Sequence, residues 1–588
     1  MREGRGISLF VCLQLALPAL ASAAGDVIVV TATRSELALQ DVIVPVTIIN
    51  REQIELAAAS DVAELLRFEA GLDIGRNGGP GQASSIFMRG TESNHTLVLV
   101  DGVRINPGTI GGAALQNIAP EVIERIEIVK GARSSLYGTD AIGGVINIIT
   151  RRAGDGYAEA GAGAGSFATQ SAYASFGANG SAGEFGLTLN AQDTDGYAIR
   201  SDSDVERGYD NVSANIYGSR QLGNSTVNIR HWRASGRSEY LDFFLAPIDQ
   251  DYRNESSALE IATPLGERSA SRLLISHMLD EIEQNQSPDF VLSRRNALDW
   301  QYSLNLTGHN FAAGIYVTEE KARAESFGSG FSENTATRAV FLQDSITHGR
   351  HRAFIAGRYT DHDTFGNELT WNAEYALDVT EAWSLSAGIG HAFRAPDASD
   401  RFGFGGNAEL KPEVADEIQL GAKLELNARN TVHLELYRND IDDLIEFDLG
   451  TFTLQNLASA EIRGAQLGWA YQGDKYRLRT DVVAQRAENA ADGSRLLRRA
   501  DRSLTVNLTR ALGSHTLGLS MLASGRREDF AESLPGYVLV NLTGQFRLGQ
   551  QWQLNSRIEN LLDTEYQTAA PYRMAERSAF LELKYRWR

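Results

Sequence analysis

The 588-residue sequence carries 75 Asp and Glu against 55 Lys and Arg, a formal net charge of −20, which speaks against a nucleic-acid binder because phosphate backbones select Lys/Arg-rich surfaces. Its single cysteine excludes a disulfide framework within the chain and a multi-cysteine metal site. With 43% hydrophobic residues and no apolar run after the first twenty long enough for a spanning helix, the chain is either a soluble multidomain protein or one that crosses a membrane as strands.

Met1 to Ala23 carries Arg2 and Arg5, an apolar stretch from Ile7 to Leu20, and the small residues Ala21-Ser22-Ala23. That order is the pattern of a secretory leader cleaved after Ala23; the competing reading, a buried N-terminal helix, fits the small-residue site less well. Cys12 lies inside this leader, so the mature chain has no thiol and no cysteine nucleophile. Next comes Asp26-Val27-Ile28-Val29-Val30-Thr31-Ala32, a β-branched run near a free end. Such a run can add as a strand to the edge of a partner sheet, or serve as the first strand of the domain that follows.

Residues 26 to about 152 read as a compact α+β unit with apolar runs at Val42 to Ile49, Leu97 to Val100, Ile126 to Val129 and Val145 to Ile149. One helix is predicted between them: Ser60 caps Asp61 to Phe68, Val62, Leu65 and Leu66 share a face, and Gly71 ends it. The glycines of residues 77–81 permit tight turns, and a loop of this kind presents Asn77, Gln82 and Ser84 toward solvent.

From Ala153 to Arg588 the pattern changes to segments of about ten alternating residues separated by Asn/Asp/Gly/Ser turns. Trp383, Leu385, Ala387 and Ile389 alternate with Ser384, Ser386, Gly388 and Gly390; Val432, Leu434 and Leu436 alternate with His433 and Glu435. Leu504, Val506 and Leu508 alternate with Thr505 and Asn507, and Leu581, Leu583, Tyr585 and Trp587 with Glu582, Lys584 and Arg586. One face of each strand then meets hydrocarbon and the other a polar interior. A soluble β-sandwich or β-helix is the alternative, but the leader and the length of the array favour a membrane all-β fold. The chain length suits a 22-stranded antiparallel transmembrane β-barrel at roughly 20 residues per strand and connection. A lumen that wide needs a stopper, and the α+β unit of residues 33–152 is available to be an N-terminal plug domain inside it.

Four plug motifs carry a specific resemblance: Asn77-Gly78-Gly79-Pro80-Gly81-Gln82-Ala83-Ser84-Ser85-Ile86-Phe87-Met88-Arg89-Gly90, Leu97-Val98-Leu99-Val100-Asp101-Gly102-Val103-Arg104-Ile105-Asn106, Lys130-Gly131-Ala132-Arg133-Ser134-Ser135-Leu136-Tyr137-Gly138, and Asp140-Ala141-Ile142-Gly143-Gly144-Val145-Ile146-Asn147. Patchier matches follow in Phe393-Arg394-Ala395-Pro396, Asn407-Ala408-Glu409-Leu410-Lys411-Pro412-Glu413, Tyr437-Arg438-Asn439-Asp440-Ile441 and Glu559-Asn560-Leu561-Leu562-Asp563-Thr564-Glu565-Tyr566. Together these resemble the TonB-dependent outer-membrane receptors, most nearly their cobalamin transporters. The resemblance implies active import of a scarce nutrient across the outer membrane of a Gram-negative bacterium, with a corrinoid as substrate and a ferric siderophore or haem as the alternative. It makes residues 26–32 the Ton box, the strand that binds TonB, which is driven by ExbB and ExbD. It also implies a monomer embedded in outer-membrane lipid, with no cofactor required.

By the same resemblance, two apical plug loops face the substrate, one with Asn77, Gln82, Ala83 and Ser84, the other with Asn106, Ile110 and Gly111. Ala83 and Pro107 depart from the cobalamin transporters. Arg89, Arg133 and Arg152, with Asp101 and Glu127, are expected to hold the plug in the barrel through solvated ion pairs. Asp193, Asp195, Asp202, Asp204, Glu206 and Asp210 crowd an early barrel loop and read as calcium (Ca2+) ligands, as the resemblance suggests, or as a solvated acidic loop. No hydrolase elbow or zinc-protease helix occurs, so no enzyme activity is expected. Haem receptors of this superfamily place a histidine after the Phe393 box; residues 397–406 contain none, and His391 precedes it. The aromatic C-terminus resembles the signal read by barrel assembly machinery, with Arg588 as an extra terminal residue.

Overall fold

The computed structural model describes residues 29–30, 34, 37–38, 42–44, 46–326, 328–448, 450–456, 459–530 and 532–587. The expected leader, Arg588 and the Ton-box residues Asp26, Val27, Ile28, Thr31 and Ala32 lie outside the described residues. Of that box, Val29–Val30 form a two-residue strand paired antiparallel with Leu37–Ala38.

Strand after strand from Tyr157–Gly165 to Ser578–Trp587 pairs antiparallel with the next, giving a closed barrel of 22 strands. The ring closes where the last strand returns to the first, Ala158 opposite Trp587 and Gly165 opposite Phe580. Closure satisfies every backbone ladder and leaves no edge in the hydrocarbon, as a spanning sheet requires. The alternation read from the sequence becomes the two faces of this wall. Leu434 and Leu436 are 39% and 43% exposed on the outside while Glu435 between them is 5% exposed. Leu581, Leu583 and Trp587 likewise point out, and Lys584 is buried in the lumen.

The two ends of the barrel differ. One carries tight turns at 181–182, 223–224 and 307–308; the other carries the longer connections 395–412, 443–458, 525–536 and 560–577. Short turns mark the periplasmic end of such barrels and long loops the extracellular one. On the long-loop end, Ile445–Asp448 pairs with Thr453–Asn456, and Arg527–Glu528 with Ser533–Leu534, as small hairpins outside the ring.

Inside the barrel lies a five-stranded sheet in the order Val46–Asn50, Ile123–Lys130, Gly144–Thr150, Thr96–Val100, Val103–Arg104. Thr96–Val100 runs parallel to Gly144–Thr150; the other neighbours are antiparallel. Each of the four apolar runs supplies one of these strands. Gly144–Thr150 is buried at every position, which is why it reads as a continuous rather than an alternating apolar segment. The predicted helix is shorter than expected, Val62–Leu66, and Asp61 rather than Ser60 caps it by accepting the Glu64 N–H at 3.0 Å. Ser60 instead donates its hydroxyl to Asp61. A second helix, Arg51–Ala57, begins at a reciprocal cap between Asn50 and Gln53. It buries only Ile54, too little for its periodicity to stand out. The plug core, with Ile54, Leu66, Met88, Val98 and Ile146, is continuous with Trp232, Ala234 and Met278 of the wall.

Candidate substrate vestibule and plug interface

Both apical plug loops lie toward the long-loop end and are fastened to the wall. In the first, the Asn77 N–H donates to the Ala83 carbonyl at 3.1 Å and the Gln82 N–H to the Gly79 carbonyl at 3.3 Å, closing the turn. Gly81 has φ +73°, and a Cβ there would stand 2.0 Å from Tyr209 of the wall, so both the backbone conformation and the close approach require glycine. Gln82 is buried and donates to the Glu239 carbonyl at 2.7 Å; its side chain anchors the loop instead of facing solvent as expected. Ala83 is exposed, and Asn77 and Ser84 are half-buried, with the Ser84 hydroxyl turned back on the Gln82 carbonyl at 3.2 Å.

The second loop is organised around Asn106, which is fully buried. Its carboxamide accepts from the Val98 N–H at 2.7 Å and donates to the carbonyls of Thr96 at 3.0 Å and Gly111 at 2.9 Å. This arrangement makes Asn106 the loop's internal staple rather than a group offered to a ligand. Gly111 is buried too, whereas Ile110 is 46% exposed. The wall holds the loop from outside: the Gly108 N–H donates to Glu320 at 2.8 Å, and Arg295 donates to the Asn106 carbonyl at 2.8 Å while pairing with Glu320. From the other side, the Ala398 and Ser399 N–H groups donate to the Gly108 and Thr109 carbonyls, both at 2.9 Å. The segment after Phe393-Arg394-Ala395-Pro396 therefore sits on the plug. Arg394, almost wholly buried, holds that segment by pairing with Glu413 at 2.6 Å and with Asp397 and Asp400. Glu413 in turn meets His95 of the plug at 3.0 Å.

Of the five groups expected to tie plug to barrel, Arg89 and Arg133 do so by ion pairs, and in a different setting. Arg89 reaches Glu435 at 2.5 Å and Glu417 at 3.4 Å, and Arg133 reaches Glu374 at 2.7 Å. These pairs are buried, not solvated, so each is costly to break. The Asp101 carboxylate turns into the plug, accepting from the Thr150 N–H and hydroxyl, while its carbonyl accepts from Arg230 of the wall at 3.3 Å; Glu127 pairs with Arg125 beside it. Arg152 lies over the Tyr217 ring at 5.6 Å. Partners absent from the sequence reading are Lys584 with Glu55 at 2.9 Å, Arg477 with Glu52 at 2.5 Å, Arg479 with Glu69 at 3.0 Å, and Arg499 with Glu92. Each joins residues hundreds of positions apart, and only the barrel register brings them together.

Within the plug, burial would push the Glu64 carboxyl up, but the guanidiniums of Arg67 at 2.6 Å and Arg76 at 3.0 Å hold it down at about 2. At Glu121 desolvation, reinforced by Glu582, outweighs the pull of Arg51 and Lys584 and pushes the carboxyl up to about 7. Lys130 is lowered by burial to about 8 and donates to the Ala70 carbonyl at 2.6 Å. On the short-turn end a cavity of ≈ 900 Å³ opens between the first plug strand and the wall, lined by Thr47, Ile48, Lys130, Glu435 and Arg479.

The six acidic residues of the early loop do not converge. Asp193 and Asp210 face each other across two strands, and Asp202 pairs with Arg200 at 2.7 Å. Among the described residues no group of three or more His, Cys, Asp or Glu side chains is gathered to hold a metal ion. His391 pairs with Asp416 at 2.7 Å and stacks at 6.4 Å on Trp371, on the same wall face as the outward Ile389 and Leu385. It points away from the lumen.

Comparison with known proteins matches this architecture part by part. The family model described as "TonB-dependent Receptor Plug Domain" matches residues 38–145, and that described as "TonB dependent receptor-like, beta-barrel" matches residues 139–561. The chain is similar to a "Vitamin B12 transporter BtuB" of Photobacterium profundum, 29% identical over 98% of both chains. It is 28% identical to another so named in Vibrio vulnificus, over 96% of this chain and 95% of that one. Among solved structures, "Copper transporter OprC" superposes with a TM-score of 0.80 at 16% identity, covering 92% of this chain and 99% of that one. The ferric enterobactin receptor PfeA of Pseudomonas aeruginosa gives 0.79 at 18%, with the same coverage. At such identities the structures establish a shared fold and nothing about the ligand. With a plug seated in a closed 22-stranded barrel and family models matched across most of its length, this chain belongs to the TonB-dependent receptors and is a transporter of the Gram-negative outer membrane.

Proposed function

We propose that this transporter imports a corrinoid, vitamin B12 or a close relative. The observation that carries the reading is similarity along the whole chain, plug and barrel alike, to proteins named as vitamin B12 transporters. In this reading Asn77, Ala83, Ser84 and Ile110, the accessible predicted members of the two apical loops, form the floor of the binding vestibule, and Gln82, Asn106 and Gly111 keep that floor in place. Residues 26–32 are the handle: TonB pairs with them as an added strand and transmits work from the inner membrane through ExbB and ExbD. A haem ligand is disfavoured, because His391 faces outward and residues 397–406 supply no other histidine.

Titration of the purified protein with cyanocobalamin and, separately, with ferric enterobactin tests the reading. Saturable binding of cyanocobalamin, accompanied by a rise in melting temperature, is expected, since a ligand that prefers the folded state stabilises it. Tight binding of the ferric chelate with no response to cyanocobalamin would replace the corrinoid reading with a siderophore one.

A further inference from the structure

The long connection 395–412, which rests on the second apical loop, carries a cation that the fold itself does not use. Arg401 ends the short helix Ala398–Phe402, whose first two N–H groups rest on the plug carbonyls of Gly108 and Thr109, next to exposed Ile110. Its guanidinium lies 4.4 Å from the Phe402 ring centroid and 5.3 Å from that of Phe365. Phe331 backs Phe402 at 6.4 Å, and His362 lies 5.1 Å from Phe365. Phe331 and His362 occupy lumen-facing positions of their strands, in the alternation that turns Val340 and Tyr359 outward. The cluster therefore borders the vestibule.

Among the described residues Arg401 makes no ion pair, and its Nε is buried without a hydrogen-bond partner. The acids beside it are committed elsewhere: Asp397 and Asp400 to Arg394, Asp363 to Arg338 at 3.9 Å. A half-buried guanidinium clamped between two rings has lost much of its freedom and presents its planar edge in a fixed direction. Such an edge suits a phosphate, which accepts two parallel N–H bonds, and the rings beside it suit the apolar faces of a flat ligand.

We propose that Arg401 recognises the phosphodiester of the corrinoid's nucleotide loop, so that this transporter selects complete corrinoids over those truncated before the phosphate. The inference rests on the corrinoid reading above. Arg401 contacts substrate in this account and does not help to hold the plug, a role already filled by Arg394 and Arg295.

Binding of cobalamin and of cobinamide, which lacks the phosphate and nucleotide, is measured on the full-length protein, on Arg401→Gln and on Arg401→Lys. The wild type is expected to prefer cobalamin. Arg401→Gln is expected to lose about tenfold in cobalamin affinity, the scale of a charge-assisted hydrogen bond, with a much smaller change for cobinamide; Arg401→Lys keeps part of the preference. Retained cobinamide binding also establishes that the variant is folded. If the wild type binds both ligands equally, or Arg401→Gln weakens both alike or neither, the inference is overturned while the corrinoid reading stands. If the wild type binds neither, both fall together.

Discussion

Arg89 is 4% exposed, inside a lumen where its charge has no water to lean on, and two wall carboxylates stand in for the solvent. Removing the cation strands Glu435 and Glu417, so Arg89→Gln is expected to cost about 3–5 kcal/mol of plug docking. Denaturant titration with a spectroscopic label on the plug checks this: the plug should release at lower denaturant while the barrel transition stays put. Glu121 supplies the opposite case. Its carboxyl is pushed from 4.5 up to about 7 by burial and by Glu582, so it favours the protonated form in the folded state. Its contribution to stability is therefore full below about pH 4.5, declines as the pH rises, and is gone above about pH 7. Glu121→Gln should flatten that part of the stability-pH curve, and melting temperatures between pH 4 and 8 measure it. That Arg89 ties the plug to the barrel was legible in the sequence; which groups it and Glu121 meet was not. Arg89 and Arg133 could be singled out as cations in resembling motifs, but their partners lie on barrel strands far along the chain.

At the scale of elements, what the sequence discloses depends on how far the cause lies from the effect. Each barrel strand carries its own alternation, because each must separate lipid from lumen, and the strands were readable one by one. The helix over 62–66 was located but miscapped: Ser60 and Asp61 are both able caps, and Asp61 wins because Arg76, brought in by the strand Leu72–Arg76, holds its carboxylate at 2.5 Å. Asp61→Asn keeps the cap and loses the ion pair, whereas Asp61→Ala loses both. The difference in unfolding free energy between the two variants should be about 1 kcal/mol, the worth of the cap. The apical loops illustrate the same limit: the resemblance places Gln82 and Asn106 in substrate-facing loops, yet each spends its hydrogen bonds on the fold. Gly81→Ala tests the docking of the first loop. The new methyl meets Tyr209 at 2.0 Å and the backbone is left-handed, so the loop should lift from the wall and ligand affinity should drop severalfold in an equilibrium binding assay.

The whole molecule is a wide cylinder whose stopper shares its hydrophobic core with the wall and is bolted to it by buried ion pairs. So many contacts cannot be undone by a ligand's binding energy alone without making the ligand impossible to release. An outside pull resolves this, because work delivered at one end of the plug is independent of affinity at the other. The first plug strand, Val46–Asn50, stands at the edge of the plug sheet, flanks the cavity on the short-turn side, and lies soon after the proposed handle in sequence. The fold class, the plug and the family were readable because local patterns and contiguous motifs carry them; the ligand was not, because recognition is assembled from loops that only the closed barrel brings together. The decisive measurement is uptake of radiolabelled cyanocobalamin by Gram-negative cells lacking their own transporter, supplied either with this chain or with the chain deleted for residues 26–32. The account predicts uptake with the full chain, and with the deletion no uptake but undiminished surface binding. Equal uptake by both would contradict it, since the barrel would then be filling its cell without being pulled.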